Sequence, residues 1–361
     1  INIAKKYGLT PNTSNNGKNI GTKIINISVE EKPTGEVMAG AGFGTTGSSI
    51  FLGVKENNFL GKGISLDSNL SLSTESIKGK FTIENKNYNN SDKLVFTNIT
   101  ASEIDRSTAS GYKTNKTGFQ LGTKFEYLND FKLGASGSSF YEKIETDSTA
   151  SATQKKQEGD YFDLILDYSL SLNKLNQNFN PSDGYRFIFS QELPVYTEDF
   201  TLVNSVNYSQ YFEFENTAIF SFAFFAATTN SLSNEDARIT KRIFIPSRKL
   251  RGFETGKIGP REGSEYIGGN YGSAINLATT LPGLFTELQE IDLSLFYDAA
   301  NIWGVDYSSS IDDASKIRSS TGIALEWFTP IGPLSLSYAF PLTKHSSDKT
   351  ENIRFNIGTT F

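Results

Sequence analysis

From about Glu36 to the C-terminus the chain is patterned with a period of two. Runs of nine to thirteen residues alternate apolar with polar positions, turns rich in Gly, Asn, Asp and Ser separate them, and no helical period develops. The last segment is the clearest: Ile353, Phe355, Ile357, Thr359 and Phe361 share one face, and Arg354, Asn356, Gly358 and Thr360 the other. Leu334, Leu336, Tyr338 and Phe340 likewise oppose Ser335, Ser337 and Ala339, and Phe162, Leu164, Leu166 and Tyr168 oppose Asp163, Asp167 and Ser169. The repeating unit is therefore the hairpin. The 326 residues from Glu36 to Phe361, at about 20 per strand plus connection, give roughly sixteen strands of membrane-spanning length, an even number. A soluble β-sandwich would show the same alternation with its apolar face turned inward. Strands of this length, opposite faces of Ser, Gly and Thr, and an aromatic at the end of the last apolar face favour an all-β antiparallel transmembrane barrel with interfacial aromatic girdles.

Residues 1–35 read differently. A polar linker, PNTSNNGKN at 11–19, precedes a strand-like KIINISVEE at 23–31, and KPTG at 32–35 punctuates the chain. The pattern predicts the end of a small separate domain and a hinge over 1–35, and the barrel over 36–361. The chain starts at Ile1 without a start Met or a signal peptide, so it is expected to be an excised or processed piece.

Composition narrows the chemistry. Phe 28, Tyr 16 and Gly 31 stand beside no Cys, one Met and one His, which favours β structure and argues against disulfide scaffolds, thiol nucleophiles and multi-His metal sites. No apolar run approaches the roughly 18 residues of a membrane helix; the richest is AIFSFAFFAA, Ala218 to Ala227. A barrel escapes that test, because only alternate residues of its strands meet lipid. The net charge of -6, with basic residues spread along the chain, argues against a nucleic-acid partner. His345, in the polar turn KHSSDK, is expected to be a solvent-exposed loop residue, and no catalytic or metal-binding residues are expected. In GAGFG the glycines Gly40, Gly42 and Gly44 lie on one face of the first strand, where they weaken the strand and permit close backbone approach. A nucleotide-binding glycine loop is the rival reading, and it fails because no helix follows.

Four motifs near the C-terminus carry a family likeness: LRGF at 250–253, YIGGN at 266–270, LFYDAANIW at 295–303 and IALEWFTPIGPLSLSYAFPL at 323–342, followed by the closing FNIGTTF at 355–361. Their order resembles that of the BamA family of outer-membrane insertases. VEEKPTGEVMAGAGFGTTG at 29–47 and NNFLGKG at 57–63 resemble that family's domain junction and the turn opening its third strand; between Gly63 and about Arg242 only the pattern agrees. The resemblance implies a bacterial outer-membrane location, with residues 1–35 the end of a periplasmic POTRA-like domain. It implies a long loop folded back into the lumen, carrying Arg251, Gly252 and Phe253. It also implies a lateral gate between a first strand bearing Gly40, Gly42 and Gly44 and a last strand bearing Phe355, Asn356, Ile357, Gly358 and Phe361. Unfolded β-barrel clients, assembly lipoproteins bound through the periplasmic domains, and outer-membrane lipid are the implied partners, with no cofactor and no covalent chemistry.

Inside such a lumen Arg251 needs an anion. Asp298 is the expected anchor, since it shares an inward face with Asp292 and Ser294 while Ile291, Leu293 and Leu295 point to lipid. The family's usual second acid is replaced by Ala278. In a wet lumen the pair is expected to contribute up to about 1 kcal/mol. Two other functions share parts of this pattern: a two-partner-secretion or TamA-like translocation pore with the same loop motif, and a general diffusion porin.

Overall fold

In the computed structural model, which describes residues 9–11, 23–25, 32–45, 47–107, 111–148, 150–215, 218–233, 235–284, 291–306, 311–329 and 332–358, sixteen antiparallel strands close into one barrel. In chain order they are β1 Gly35–Gly44, β2 Gly47–Phe59, β3 Ile64–Ser73, β4 Ser76–Asn85, β5 Leu94–Arg106, β6 Tyr112–Leu128, β7 Phe131–Thr146 and β8 Gly159–Asn173. The second half comprises β9 Gly184–Tyr196, β10 Thr201–Phe214, β11 Ala218–Ser231, β12 Tyr271–Leu281, β13 Ile291–Trp303, β14 Arg318–Thr329, β15 Gly332–Thr343 and β16 Ile353–Gly358. Every strand pairs with its sequence neighbours, and β16 pairs with β1 to close the ring. The expected strand number and the first-to-last closure are both found.

The alternation reads out as two surfaces. Leu52, Leu121, Leu166, Leu277, Leu295 and Tyr338 are among the exposed large side chains of the outer wall, a belt that costs free energy in water and is stable in lipid. Asp163, Ser138, Asp298, Ser320 and Arg354 face in and are buried. Ile291 has outward parity but is only 7% exposed, so it is covered rather than presented to lipid.

The strands depart from the expected nine to thirteen residues on the side away from β1. There β6, β7 and β8 run to 17, 16 and 15 residues. Their upper ends carry ion pairs on the surface, Lys113 with Glu103 and Lys143 with Glu145, both at 2.6 Å. Such charges are too costly for the hydrocarbon layer, so the extra length stands above it.

Consecutive strands are joined by hairpins except between β11 and β12, where residues 232–233 and 235–270 turn back into the barrel. YIGGN lies within this loop, since β12 begins only at Tyr271. Ile245, Leu250, Phe253 and Ile258 of the loop form one apolar cluster with Ala274, Ala300 and Ile302 of the wall, joined by Phe225. Ile239 forms a second with Tyr112 and Ile144. The barrel's dry core is therefore the contact between loop and wall. Of the N-terminal segment, Leu9–Pro11 pairs with Lys23–Ile25 in a two-stranded sheet; residues 1–8, 12–22 and 26–31, on which the separate-domain expectation mainly rests, lie outside the described residues.

Candidate functional site: the lumen loop and the seam

The loop is held on the β13 side by Arg251. Its Nε and Nη2 donate to Asp298 Oδ2 and Oδ1 at 2.7 Å each, and its backbone N–H donates to Oδ2 at 3.1 Å. This is the planar fork-to-carboxylate geometry that arginine alone supplies. The guanidinium also lies over the Phe296 ring, 3.5 Å from its centroid. The Asp298 side chain is 0% exposed and that of Arg251 20%, so the pair is drier than the sequence suggested. Ala278 is paired across the ladder with Phe296; the residue opposite Asp298 is Asn276. The Asn276 amide donates to Asp298 Oδ1 at 2.8 Å and to the Lys249 carbonyl at 2.9 Å. A neutral donor on the neighbouring strand thus completes the carboxylate's shell.

Gly252 has φ +88°, and an added Cβ would sit 3.2 Å from Ala339 Cβ and 3.3 Å from Ser320 Cβ. Only glycine accepts that conformation without strain while the backbone lies this close to the wall. Ser320 Oγ donates to the Arg251 carbonyl at 2.5 Å. Phe253 is 1% exposed, and Gly252 and Phe253 pair with Glu351 and Thr350 in a short ladder. The predicted Arg251, Gly252, Phe253 and Asp298 are thus brought together at one place on the lumen wall.

A second anchor was not read from the sequence. Arg238 Nη1 donates to Glu142 and Asp163 at 3.0 Å each, and Nη2 donates to Asp163 at 3.0 Å and to Asp199 at 3.3 Å. Lys241 lies 3.1 Å from Asp199 and 3.6 Å from Asp163, and the Tyr161 ring faces the Arg238 guanidinium at 3.9 Å. Arg242 adds a bond to Asp306 at 2.5 Å. The available signal was the basic run RITKR at 238–242 set against unexplained acids on the inward faces of distant strands. Burial would raise the Asp199 carboxyl, but Lys241, Arg238 and the Thr197 and Thr201 hydroxyls outweigh it and bring it from 3.8 to about 2.

Because the folded-state value is depressed, this carboxylate contributes stability that is fully present above about pH 4 and is lost as pH falls through 2. At the size of that shift the contribution is about 2 kcal/mol. Protease cleavage within 232–242, read across pH 5 to 2 with an acid-active protease, should rise toward the acid end. Asp199→Asn should flatten that rise; an unchanged profile in the variant would remove Asp199 from the anchor.

The other half of the site is the seam. Among the described residues, which end at Gly358, β16 joins β1 through the pairs Asn356 with Gly44, Ile357 with Phe43 and Gly358 with Gly42, and Thr45 N–H donates to the Phe355 carbonyl at 3.0 Å. On its other side β16 pairs with β15 from Tyr338 with Ile353 to Leu334 with Ile357. Glycine permits the close approach of β16 to β1. A Cβ on Gly44 would fall on the Asn356 side chain and the Phe355 carbonyl, and one on Gly358, at φ +125°, would fall on the Ala41 carbonyl. Among the described residues Asn356 Oδ1 is enclosed yet accepts no hydrogen bond, a penalty of about 1–3 kcal/mol held at the seam. On the outside Phe43 and Phe355 pack ring to ring at 5.9 Å. Gly40 lies on β1 below these three pairs, and Phe361 lies outside the described residues.

His345 differs from its expected exposure. It is half-buried in the turn between β15 and β16, with Nε2 3.1 Å from Lys316 Nζ and Nδ1 2.8 Å from Ser347 Oγ. Asp348 does not complete a catalytic set. Its carboxylate accepts the Arg318 fork at 3.0 Å twice and the His345 backbone N–H at 2.6 Å, so the cluster fastens the turn.

Residues 58–361 match the model of the Omp85 superfamily domain. The outer membrane protein assembly factor BamA of Neorickettsia risticii is 25% identical over 350 residues, covering 94% of this chain and 46% of that protein. The BamA of Neisseria meningitidis serogroup B is 31% identical over 140 residues, 31% of this chain and 17% of that protein. The chain spans less than half the length of either relative. The crystal structure of BamA from Haemophilus ducreyi lacking POTRA domains 1-3 superimposes with a TM-score of 0.87 at 24% identity, covering 99% of this chain and 75% of that one; this likeness is one of fold.

Proposed function

The chain belongs to the Omp85 superfamily, and from that premise we propose that it is the barrel of an outer-membrane protein assembly factor that inserts β-barrel clients through the seam between β1 and β16. The observation that carries this reading is the contrast between a glycine-lined seam, where Asn356 Oδ1 is enclosed without a hydrogen bond, and a loop anchored firmly to the wall elsewhere. A net backbone hydrogen bond contributes about 0.5–1.5 kcal/mol, and strand-interior glycines weaken β1, so the seam ladder opens at modest cost. The exposed edge of β1 then offers its N–H and C=O groups to an incoming strand, which pairs by β-augmentation. The work is binding and templating, without covalent chemistry or a cofactor.

In this reading the partners are unfolded outer-membrane barrel precursors, the surrounding lipid, and assembly lipoproteins that dock on periplasmic domains, of which residues 1–35 are the last piece and the hinge. The names of the BamA relatives support an assembly role in the outer membrane. The lumen also favours it over the diffusion porin, since a loop with two apolar contacts and several buried ion pairs fills the space a pore would use.

The test is reconstitution. The protein in liposomes, given a urea-unfolded client barrel, should convert the client to a protease-resistant, heat-modifiable form several times faster than empty liposomes do. Equal rates in both, or passage of a soluble protein without client folding, would replace the insertase with the translocation pore.

A further inference from the structure

The two strands of the seam are not held alike. On β16 the Arg354 side chain turns inward, where the residue is 8% exposed. Its Nη1 donates to the Ser247 carbonyl at 2.9 Å, Nη2 to the Phe253 carbonyl at 2.7 Å and Nε to Glu351 at 2.8 Å. The two carbonyls bracket the loop segment that carries Arg251. Immediately before β16, Glu351 and Thr350 pair with Gly252 and Phe253, and the Glu254 N–H donates to the Lys349 carbonyl at 3.0 Å. The last strand is thus fastened to the lumen loop by charge-assisted side-chain bonds and by main chain. The inward positions of β1 upward from Met38 are Gly40, Gly42 and Gly44, which give the loop no side chain to grip.

We propose that Arg354 is the positioning residue through which the lumen loop sets how readily the seam parts: it keeps β16 on the loop and leaves β1 as the strand that departs. The Arg354 bonds to the loop give β16 a hold inside the lumen that the glycine face of β1 lacks. Because Arg251 and Arg354 grip the two sides of one short loop segment, loosening either is felt at the other. A cavity of about 230 Å³ between Arg251, Glu326, Ser337, Arg354 and Asn356 leaves β16 room to shift inward once its arginine is gone. The inference rests on the proposed lateral opening, but its test reads the seam and not insertion.

Amide hydrogen exchange of the intact protein in lipid vesicles measures this opening directly. In Arg354→Ala the seam amides of 43–45 and 355–358 should exchange about tenfold faster, the loss expected when charged hydrogen bonds are removed. Amides in the β10–β11 ladder, around Ser205 and Ala227, should not change. Arg354→Lys, which retains the charge but lacks the three-way fork, should fall between wild type and Ala and provides the measurement if the alanine variant does not assemble. Glu351→Gln, which removes a single ionic partner, should have a smaller effect. Seam exchange unchanged in both Arg354 variants, or a rise of equal size in seam and control ladders, would overturn the proposal. If wild type inserts no client in the liposome assay while the seam effect stands, the insertase reading fails and the role of Arg354 in holding the seam survives.

Discussion

A disulfide between Phe43→Cys and Ile357→Cys should stop client insertion, by about tenfold or more, and a reductant should restore it. These residues face each other directly in the seam register. Opposed residues of antiparallel strands have Cα atoms about 4.5–5.5 Å apart, inside the range that a disulfide spans without moving backbone. The chain has no Cys of its own, so the introduced pair has no competitor. Both side chains lie on the lipid side of the wall, where Phe43 is 58% exposed, which spares the crowded glycine face. The covalent link ties the two seam strands together, and an incoming strand can no longer separate β1 from β16. The same double variant with its thiols reduced is the control, since it keeps the substitutions and loses only the bond. Full insertion by the oxidised protein would mean that the seam is not the route, and the proposed mechanism would be wrong for this molecule.

Breaking the Arg251–Asp298 pair should loosen the lumen loop far more than the sequence alone suggested. In a wet lumen the expectation was about 1 kcal/mol. The structure instead encloses Asp298 completely, with four donor contacts from Arg251 and Asn276. Removing one partner of such a pair leaves a buried charge uncompensated, at about 3 kcal/mol, moderated because the Arg251 side chain keeps 20% of its exposure. Arg251→Ala should therefore raise protease cleavage within 245–258 by about a hundredfold, lower client assembly sharply and leave the strands folded. Arg251→Lys should recover part of the loss, because it retains the charge without the fork. Asp298→Asn should resemble Arg251→Ala, and the double variant should cost less than the sum. Asn276→Ala should be milder, since it removes a neutral donor only. Strict additivity, or wild-type protease resistance in Arg251→Ala, would show that the apolar contacts of Phe253 hold the loop unaided.

The barrel was legible in the sequence because its determinants are local. A strand's two faces are set by parity, so Leu334, Leu336 and Tyr338 declared their lipid side, and Ser335, Ser337 and Ala339 their lumen side, without knowledge of any neighbour. Length per hairpin then set the strand number, and the even count followed from antiparallel closure. The loop motif was legible through its likeness to a family, and the choice of Asp298 followed from parity on β13. What the sequence could not supply was partnership across the lumen. Arg238 meets Asp163 and Glu142 across 75 and 96 residues of chain, and nothing in a period of two says which inward acid a loop cation will face. The place expected for a second partner of Arg251 fell on Ala278, whereas the ladder register put Asn276 beside Asp298, a matter of strand stagger that only the closed barrel decides. His345 was read as exposed because its turn is polar; folding placed Lys316 and Ser347 against it. The unequal hold on the seam has the same origin. Glycines on β1 and an arginine on β16 can be read from the chain, but that the arginine grips the loop, while the glycines leave it nothing to grip, depends on a contact between segments 101 and 107 residues apart. Parity is a property of each residue's own backbone, whereas a buried ion pair exists only when closure brings two distant segments within about 3 Å of each other.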